Sequence, residues 1–278
     1  MLPVRRAAVA GSWYPAHPDA LAREVDRYLA AAGEPPVGEP IAIIAPHAGL
    51  MYSGPIAAHA YNVLRGRDIE IAVLVGPSHY VGFDGVAIYE RGAFETPFGP
   101  VPIAEHCAAT VAMGSRQIQP HPTAHVREHS LEMQLPFLKR VLPDAEIVPL
   151  VMGHQRRETA CELGDAIATA VTGRKAVLVA STDLSHYQNA ATAAKLDGKV
   201  IQQVLRFDPD GLMSLVETFP EHACGGGPTV SVMRAARLLG ARDARVLKYG
   251  DSGDVSGDKD AVVGYLAAAF GTFRPMAQ

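Results

Sequence analysis

Four stretches of the chain are apolar without interruption: residues 41–45 (IAIIA), 71–75 (IAVLV), 147–151 (IVPLV) and 176–180 (AVLVA). Continuous rather than alternating hydrophobicity predicts strands covered on both faces, as in a parallel sheet sandwiched by helices. Helical periodicity occupies 20–31, 54–64, 104–113, 158–171, 190–205 and 230–239. This alternation predicts an α/β fold, a layered αβα arrangement with a largely parallel central sheet. Residues 245–250 and 262–270 add late strands, and the turn-rich stretch 85–103 reads as a hairpin at the sheet edge. No repeat, low-complexity tract or linker divides the chain, and residues 30–40 form a short loop, so 1–278 reads as a single domain.

Composition narrows the function classes. A chain of 278 residues that is 48% hydrophobic and 19% charged is neither disordered nor fibrous. Lys and Arg number 25 against 29 Asp and Glu, a net charge of −4, which argues against general affinity for nucleic acid or an anionic membrane. The longest run without a charged residue, 41–64, contains His47, His59, Pro46 and Pro55 and is a poor bilayer span. The apolar stretch near the start is too short for a secretory signal. Three cysteines, Cys107, Cys161 and Cys224, are an odd and sparse set, which fits a reducing cytoplasm. Eleven histidines exceed the usual share and are the first pointer to chemistry.

Three of the buried runs lead directly into a histidine: Pro46-His47-Ala48-Gly49, Gly76-Pro77-Ser78-His79, and Ser181-Thr182-Asp183-Leu184-Ser185-His186. Ligands of open parallel sheets bind outside the carboxyl ends of the strands. Singly each histidine reads as structural; three at equivalent positions point to one shared site. Cys224 lies in His222-Ala223-Cys224-Gly225-Gly226-Gly227-Pro228, just ahead of a helix whose N-terminus favours thiolate. Cys107 and Cys161 read instead as small apolar residues on helices. No Lys-Ser/Thr pair follows the glycines, which argues against a phosphate cradle.

Residues 125–129 match the H-x-x-E-H peptidase motif, yet Pro122 and Pro136 flank them and oppose the continuous helix that motif needs. They read as a loop entering an amphipathic run, from which His129 and Glu132 can face a site. Asp183, Ser185 and His186 are too close in sequence to line up as a hydrolase triad, and Asp183 reads as an orienting partner of a site histidine. The acidic stretch 250–258 lacks EF-hand spacing and reads as a polar connection.

Together these segments resemble one family. Gly11-Ser12-Trp13-Tyr14-Pro15, Pro46-His47-Ala48-Gly49 with Tyr52-Ser53-Gly54, Gly76-Pro77-Ser78-His79, Glu128-His129-Ser130-Leu131-Glu132, Ser181 to Tyr187, Cys224 to Pro228 and Ser252-Gly253-Asp254 recur in that order in the Memo family, called AmmeMemoRadiSam system protein B in bacteria and archaea. The resemblance spans about residues 5–270 and implies a fold like that of class III extradiol ring-cleaving dioxygenases. It implies metal ligation by His47, His79 and Cys224, an acid/base role for His186 with Asp183 beside it, and a binding pocket at Trp13 and Tyr52, to which His129 and Glu132 are added here. The dioxygenases hold Fe(II) with two histidines and a carboxylate, whereas this chain offers two histidines and a thiolate. The resemblance makes Fe(II) the expected ion, and the softer thiolate adds copper and zinc as alternatives.

Two functions follow as expectations. The first is a non-haem Fe(II) dioxygenase-like oxidoreductase acting on a small aromatic or enediol-like substrate, with His186 moving protons. The second is a metal-binding redox or assembly protein without turnover, serving partner proteins of a radical-SAM system.

Overall fold

The computed structural model describes residues 3–274. The chain begins with β1 (Val4–Arg5) and α1 (Pro18–Ala31), followed by β2 (Gly38–Ala45), α2 (Leu50–Asn62) and β3 (Ile71–Pro77). Short strands β4 (Val86–Ile88), β5 (Ala93–Phe94) and β6 (Val101–Pro102) lead to α3 (Glu105–Met113), β7 (Ile118–Pro120), α4 (Pro122–Val126) and α5 (Leu135–Val141). Then come β8 (Glu146–Met152), α6 (Arg157–Val171), β9 (Ala176–Ser181), β10 (His186–Gln188), α7 (Ala190–Leu205), α8 (Pro209–Thr218) and α9 (Gly226–Leu238). Strand β11 (Asp243–Asp251), a turn of helix α10 (Gly253–Ser256) and β12 (Val262–Phe273) complete it.

The four uninterrupted apolar runs are β2, β3, β8 and β9, and they lie side by side, parallel, in the order β2-β9-β3-β8. They are the middle of a nine-stranded sheet. Helices α1, α2 and α5 pack together on one face, and α3, α6, α7, α8 and α9 on the other. Burial on both sides is why these strands carry no polar alternation. The layered αβα architecture is thus the one the hydrophobic pattern predicts. The sheet turns antiparallel on its flanks, where β12 pairs with β2 and with β11, and β4 pairs with β8.

Register fixes where the strand ends fall. Ala45 pairs with Ser181, Val75 with Ala180, and Pro77 with Met152, so β2, β9, β3 and β8 end together at one edge of the sheet. Strand β12 starts at this same edge, where β10 pairs with its first residues, His186 opposite Val263. The loops after four strands are thereby gathered into one place.

The stretch 85–103 departs from the expected edge hairpin. Its first strand, β4, is inserted between β8 and β7, while β5 and β6 pair antiparallel in a separate small sheet with β1. Strands two residues long carry too little pattern to reveal their partners. Helices α2 and α9 also begin four residues before the periodic stretches that signal them.

The N-terminal segment is held by a buried ion pair. Glu132 Oε2 accepts from the Arg5 guanidinium and the Ala8 N–H (2.8 Å), and Oε1 accepts from the Val9 N–H (3.0 Å) and the Tyr14 hydroxyl (2.6 Å). Both side chains are almost fully buried, 2% and 0% exposed. Arg5 also donates to the carbonyls of His125 (2.9 Å) and Glu128, tying β1 to the 125–132 loop. Glu132→Ala leaves the guanidinium buried without its anion and should cost about 3–5 kcal/mol. Urea unfolding should show this as a lower midpoint at unchanged slope, whereas a loss below about 1 kcal/mol would show that the charge is solvated without Glu132.

Candidate metal centre

His47 follows β2 by two residues and His79 follows β3 by two, and their rings meet edge to face with centroids 5.1 Å apart. Cys224 comes to the same point from the turn before α9. One donor atom from each of His47, His79 and Cys224 lies within 4.8 Å of the others.

The hydrogen-bond partners of each ring decide which nitrogen keeps its lone pair. The Ser181 hydroxyl donates its only proton to the Ser130 carbonyl (2.7 Å) and accepts from the Gln134 amide (2.8 Å). At 2.8 Å from His47 Nδ1, that oxygen has no proton left, so Nδ1–H is the donor and the Nε2 lone pair is free. His79 reaches the same state by another partner: its Nδ1 lies 2.8 Å from Glu128 Oε1, and its backbone N–H donates to Oε2 (2.6 Å). A carboxylate accepts, so His79 Nδ1 carries the proton and Nε2 the lone pair. The His47 lone pair thereby faces the thiol, and a donor atom of His79 lies within 4.8 Å of both.

Cys224 is placed by backbone contacts. Its N–H donates to the Asp183 carbonyl (3.2 Å), and its Sγ accepts from the Asp183 N–H (3.2 Å). Sγ lies 3.2 Å from His47 Nε2, where the thiol donates to the free lone pair. Gln155 clips the turn from β8's side, donating to the Cys224 carbonyl (2.6 Å) and accepting from the Gly227 N–H (2.7 Å). Gly225 is required because a Cβ there would stand 2.4 Å from the Ser181 carbonyl oxygen. The sequence pattern suggested a thiol acidified by the helix N-terminus. The structure reverses this: burial, with the Asp183 charge added, pushes the Cys224 thiol up, and it is protonated at neutral pH.

The other groups divide by what holds them. Burial, with His79 beside it, holds His47 well below the usual histidine value. Burial raises Asp183, partly opposed by the N–H groups of His47 and Ala48. Its Oδ1 accepts the His47 N–H at 2.7 Å, so Asp183 orients the histidine through the backbone, not the ring. Burial also opposes ionisation of Glu128, but the bonds from His79 and Ser130 prevail and its carboxyl sits at about 2. His129 stacks on His79 (4.5 Å) and contacts Trp13 (4.3 Å), and burial, with His47 and His79 nearby, lowers it to about 3.

His186 is half-buried at the start of β10 and is close enough to Asp183 and His47 to act on both electrostatically. Its backbone position is set by Asp197, which is fully buried and accepts from the Ser185 N–H (2.9 Å) and the Tyr249 hydroxyl (2.8 Å). Trp13 and Tyr52 line a cavity of about 540 Å³ with Gly11 to Pro15 and Gly49 to Met51. Trp13 joins that cavity to the histidine cluster.

Two expectations are corrected. Glu132 faces the N-terminal segment, with both oxygens taken up by Arg5, Ala8, Val9 and Tyr14, so it belongs to no substrate pocket. Cys161, expected among buried apolar residues with Cys107, is only half-buried. The H-x-x-E-H helix does not form: α4 ends at Val126, and His125 bonds the Ala87 carbonyl (3.2 Å), leaving Glu128 to His79. The acidic stretch is neutralised in part by Lys259, 2.7 Å from Asp251 and 2.6 Å from Asp254. Glu128, Ser181, Gln134 and Asp197 were missed as parts of the site. Glu128 and Ser181 carried a signal, their places in the peptidase-like motif and in the segment that leads to His186; Gln134 and Asp197 carried none.

Comparison with known proteins adds three findings. The family model described as Memo-like protein matches residues 5–269. A MEMO1 family protein of Methanothermobacter thermautotrophicus is 39% identical, over 94% of this chain and 98% of its own, and one of Methanopyrus kandleri is 38% identical over 96% and 98%. The crystal structure of an uncharacterized protein from Escherichia coli K12 superposes with a TM-score of 0.55 at 14% identity, covering 84% of this chain and all of that one, a likeness of fold. Among the described residues no helix is long and apolar enough to cross a membrane.

The buried histidines give the fold a pH dependence. His125 and His129 lie at about 3 when folded, mainly through burial, and His47 is also lowered, against an ordinary 6.5. As pH falls, the unfolded chain takes up protons before the folded one. Their share of stability is therefore full above about pH 6.5 and lost toward pH 3, at up to about 1.4 kcal/mol per pH unit for each ring. Urea unfolding of metal-free protein between pH 7 and 5 should show this loss, and His129→Gln should make it shallower by about one proton's worth. Equal slopes in the two proteins would mean that His129 is protonated inside the fold.

Proposed function

This chain belongs to the Memo-like family, and from that premise we propose that it is a metal-binding protein whose ion is held by His47, His79 and Cys224 and which acts as a class III extradiol dioxygenase-like oxidoreductase. The observation that supports this most is the convergence of donor atoms of His47, His79 and Cys224 within 4.8 Å, with both imidazole tautomers fixed by their Nδ1 partners. The donors fit an ion: a first-row metal with bonds of ~2.0–2.1 Å to nitrogen and ~2.3 Å to sulfur spans a separation such as the 3.2 Å between Cys224 Sγ and His47 Nε2. Three protein donors also leave coordination positions for substrate.

In this reading Ser181 and Glu128 keep the two imidazoles in the ligating tautomer, and Asp183 holds the backbones of His47 and Cys224 in register. When bound, the ion, Fe(II) on this reading, supplies Lewis acidity toward substrate oxygens and the redox chemistry of an oxygenase. The cavity at Trp13 and Tyr52 receives a small aromatic or enediol-like molecule, and His186 exchanges protons with it from the β10 side. A second reading, a non-catalytic metal-binding partner of a radical-SAM system, is favoured by the thiol itself. Its softness suits copper or zinc as well as iron.

Anaerobic titration with Fe(II), zinc and copper tests the ligand set. Cys224→Ser should weaken binding strongly, and the wild-type affinity should rise about tenfold per pH unit near neutrality because the thiol proton must leave. His186→Ala should retain metal while O₂ uptake with catechol-type substrates drops by ~10²–10⁴-fold. Metal bound without any O₂ uptake in wild type would favour the non-catalytic reading, and unchanged affinity in Cys224→Ser would remove the thiol from the set.

A further inference from the structure

We propose that the chain carries an alternative cation site formed by His79, Glu128 and His129, a set of two imidazoles and one carboxylate that shares His79 with the sulfur-containing set. One donor atom from each of the three lies within 4.8 Å of the others. The second observation is an orphan. His129 Nδ1 is buried and has no hydrogen-bond partner among the described residues, in a side chain only 8% exposed. Its nearest acidic neighbour is Glu128 Oε1 at 3.8 Å, too far for a hydrogen bond. Two donors on one ion, each bonded at ~2.1 Å, span such a gap at an open angle. His79 Nδ1 completes the set, 2.8 Å from the same oxygen.

The surroundings hold these donors for a cation. Glu128 is ionised across the physiological range, and the backbone N–H groups of His79 (2.6 Å) and Ser130 (2.8 Å) fix its carboxylate. The His129 ring stacks on His79 and contacts Trp13, with Tyr80 edge-on at 5.7 Å. An unpartnered imidazole nitrogen beside a buried carboxylate is costly unless something positive comes between them.

His79 makes the two sites exclusive. A neutral imidazole has one lone pair. For the sulfur set that pair is on Nε2, with the proton on Nδ1 toward Glu128. For the carboxylate set the pair is on Nδ1 and the proton moves to Nε2, so one ion is held at a time. The sets differ in hardness. The thiolate set suits softer ions, and the two-histidine, one-carboxylate set favours harder divalent ions such as Mn(II) over copper(I). The identity of the ion then decides where it sits.

The inference rests on the proposed ligand set only in taking Cys224 as the competing donor, and Co(II) reports the two separately. A thiolate-to-cobalt charge-transfer band in wild type tests the sulfur set. In Cys224→Ala the band disappears by design, and one equivalent of Co(II) should still bind. In that background His129→Gln should weaken Co(II) binding at least tenfold, while His47→Gln should leave it within about twofold. Circular dichroism and the urea midpoint establish that each variant folds, and Glu128→Gln in the same background gives a second route should His129→Gln not fold. Loss of cobalt on His47→Gln and not on His129→Gln would overturn the inference, as would a folded Cys224→Ala protein that binds no cobalt.

Discussion

The Ser181 hydroxyl has one proton, and the centre depends on where it goes. It is spent on the Ser130 carbonyl, so the oxygen can only accept from Gln134 and His47. That one assignment fixes the His47 tautomer. It also joins the end of β9 to the loop after β2 and to the 128–134 loop. Gln134 extends the chain inward by accepting from the Tyr61 hydroxyl (2.9 Å) and donating to the Pro46 carbonyl (3.1 Å). The network is buried and its members are mutually satisfied, which is the condition under which buried polar groups rigidify a fold. A change anywhere along it therefore reaches the His47 lone pair.

Two glutamates four residues apart show how partners, not sequence position, assign roles. Glu132 is compensated by Arg5 and is an anchor for the N-terminal segment. Among the described residues Glu128 has no arginine or lysine partner; its bonds come from His79 and from backbone N–H groups. Its negative charge is thus turned toward the imidazole that faces the thiol. Because Arg5 also donates to the Glu128 carbonyl, the anchor and the orienting carboxylate are mechanically linked. The rigid segment stabilises the loop, and the loop presents Glu128.

The fold was legible where hydrophobicity was continuous. The runs at 41–45, 71–75, 147–151 and 176–180 are the parallel centre of the sheet, and the histidines after three of the four strands fall at one edge because parallel register makes their ends coincide. The pairing of the stretch 85–103 and the partners of Glu128 and Glu132 were not legible, because strands of two or three residues and a loop of mixed charge carry no period to read. The motif at 125–129 was read correctly as no continuous helix, because its flanking prolines oppose one and the helix that Pro122 begins stops at Val126. The state of Cys224 was not legible either. The nearby helix start argues for acidification, and only burial, which a sequence does not display, overturns it.

Burial gives the centre its general character. Without an ion, His47 and His129 are neutral and the Cys224 thiol keeps its proton, while Glu128 is held ionised against the rings and burial raises Asp183. The ring nitrogens and the thiol are neutral until an ion reaches them, and the ion then displaces the thiol proton and gains a thiolate. Discrimination is then set by how well an ion competes with that proton. A soft ion gains most from sulfur, whereas a harder one gains more from Glu128, which is ionised already. Softness and pH thus act on the same balance, and both act through the one residue common to the two donor sets, His79.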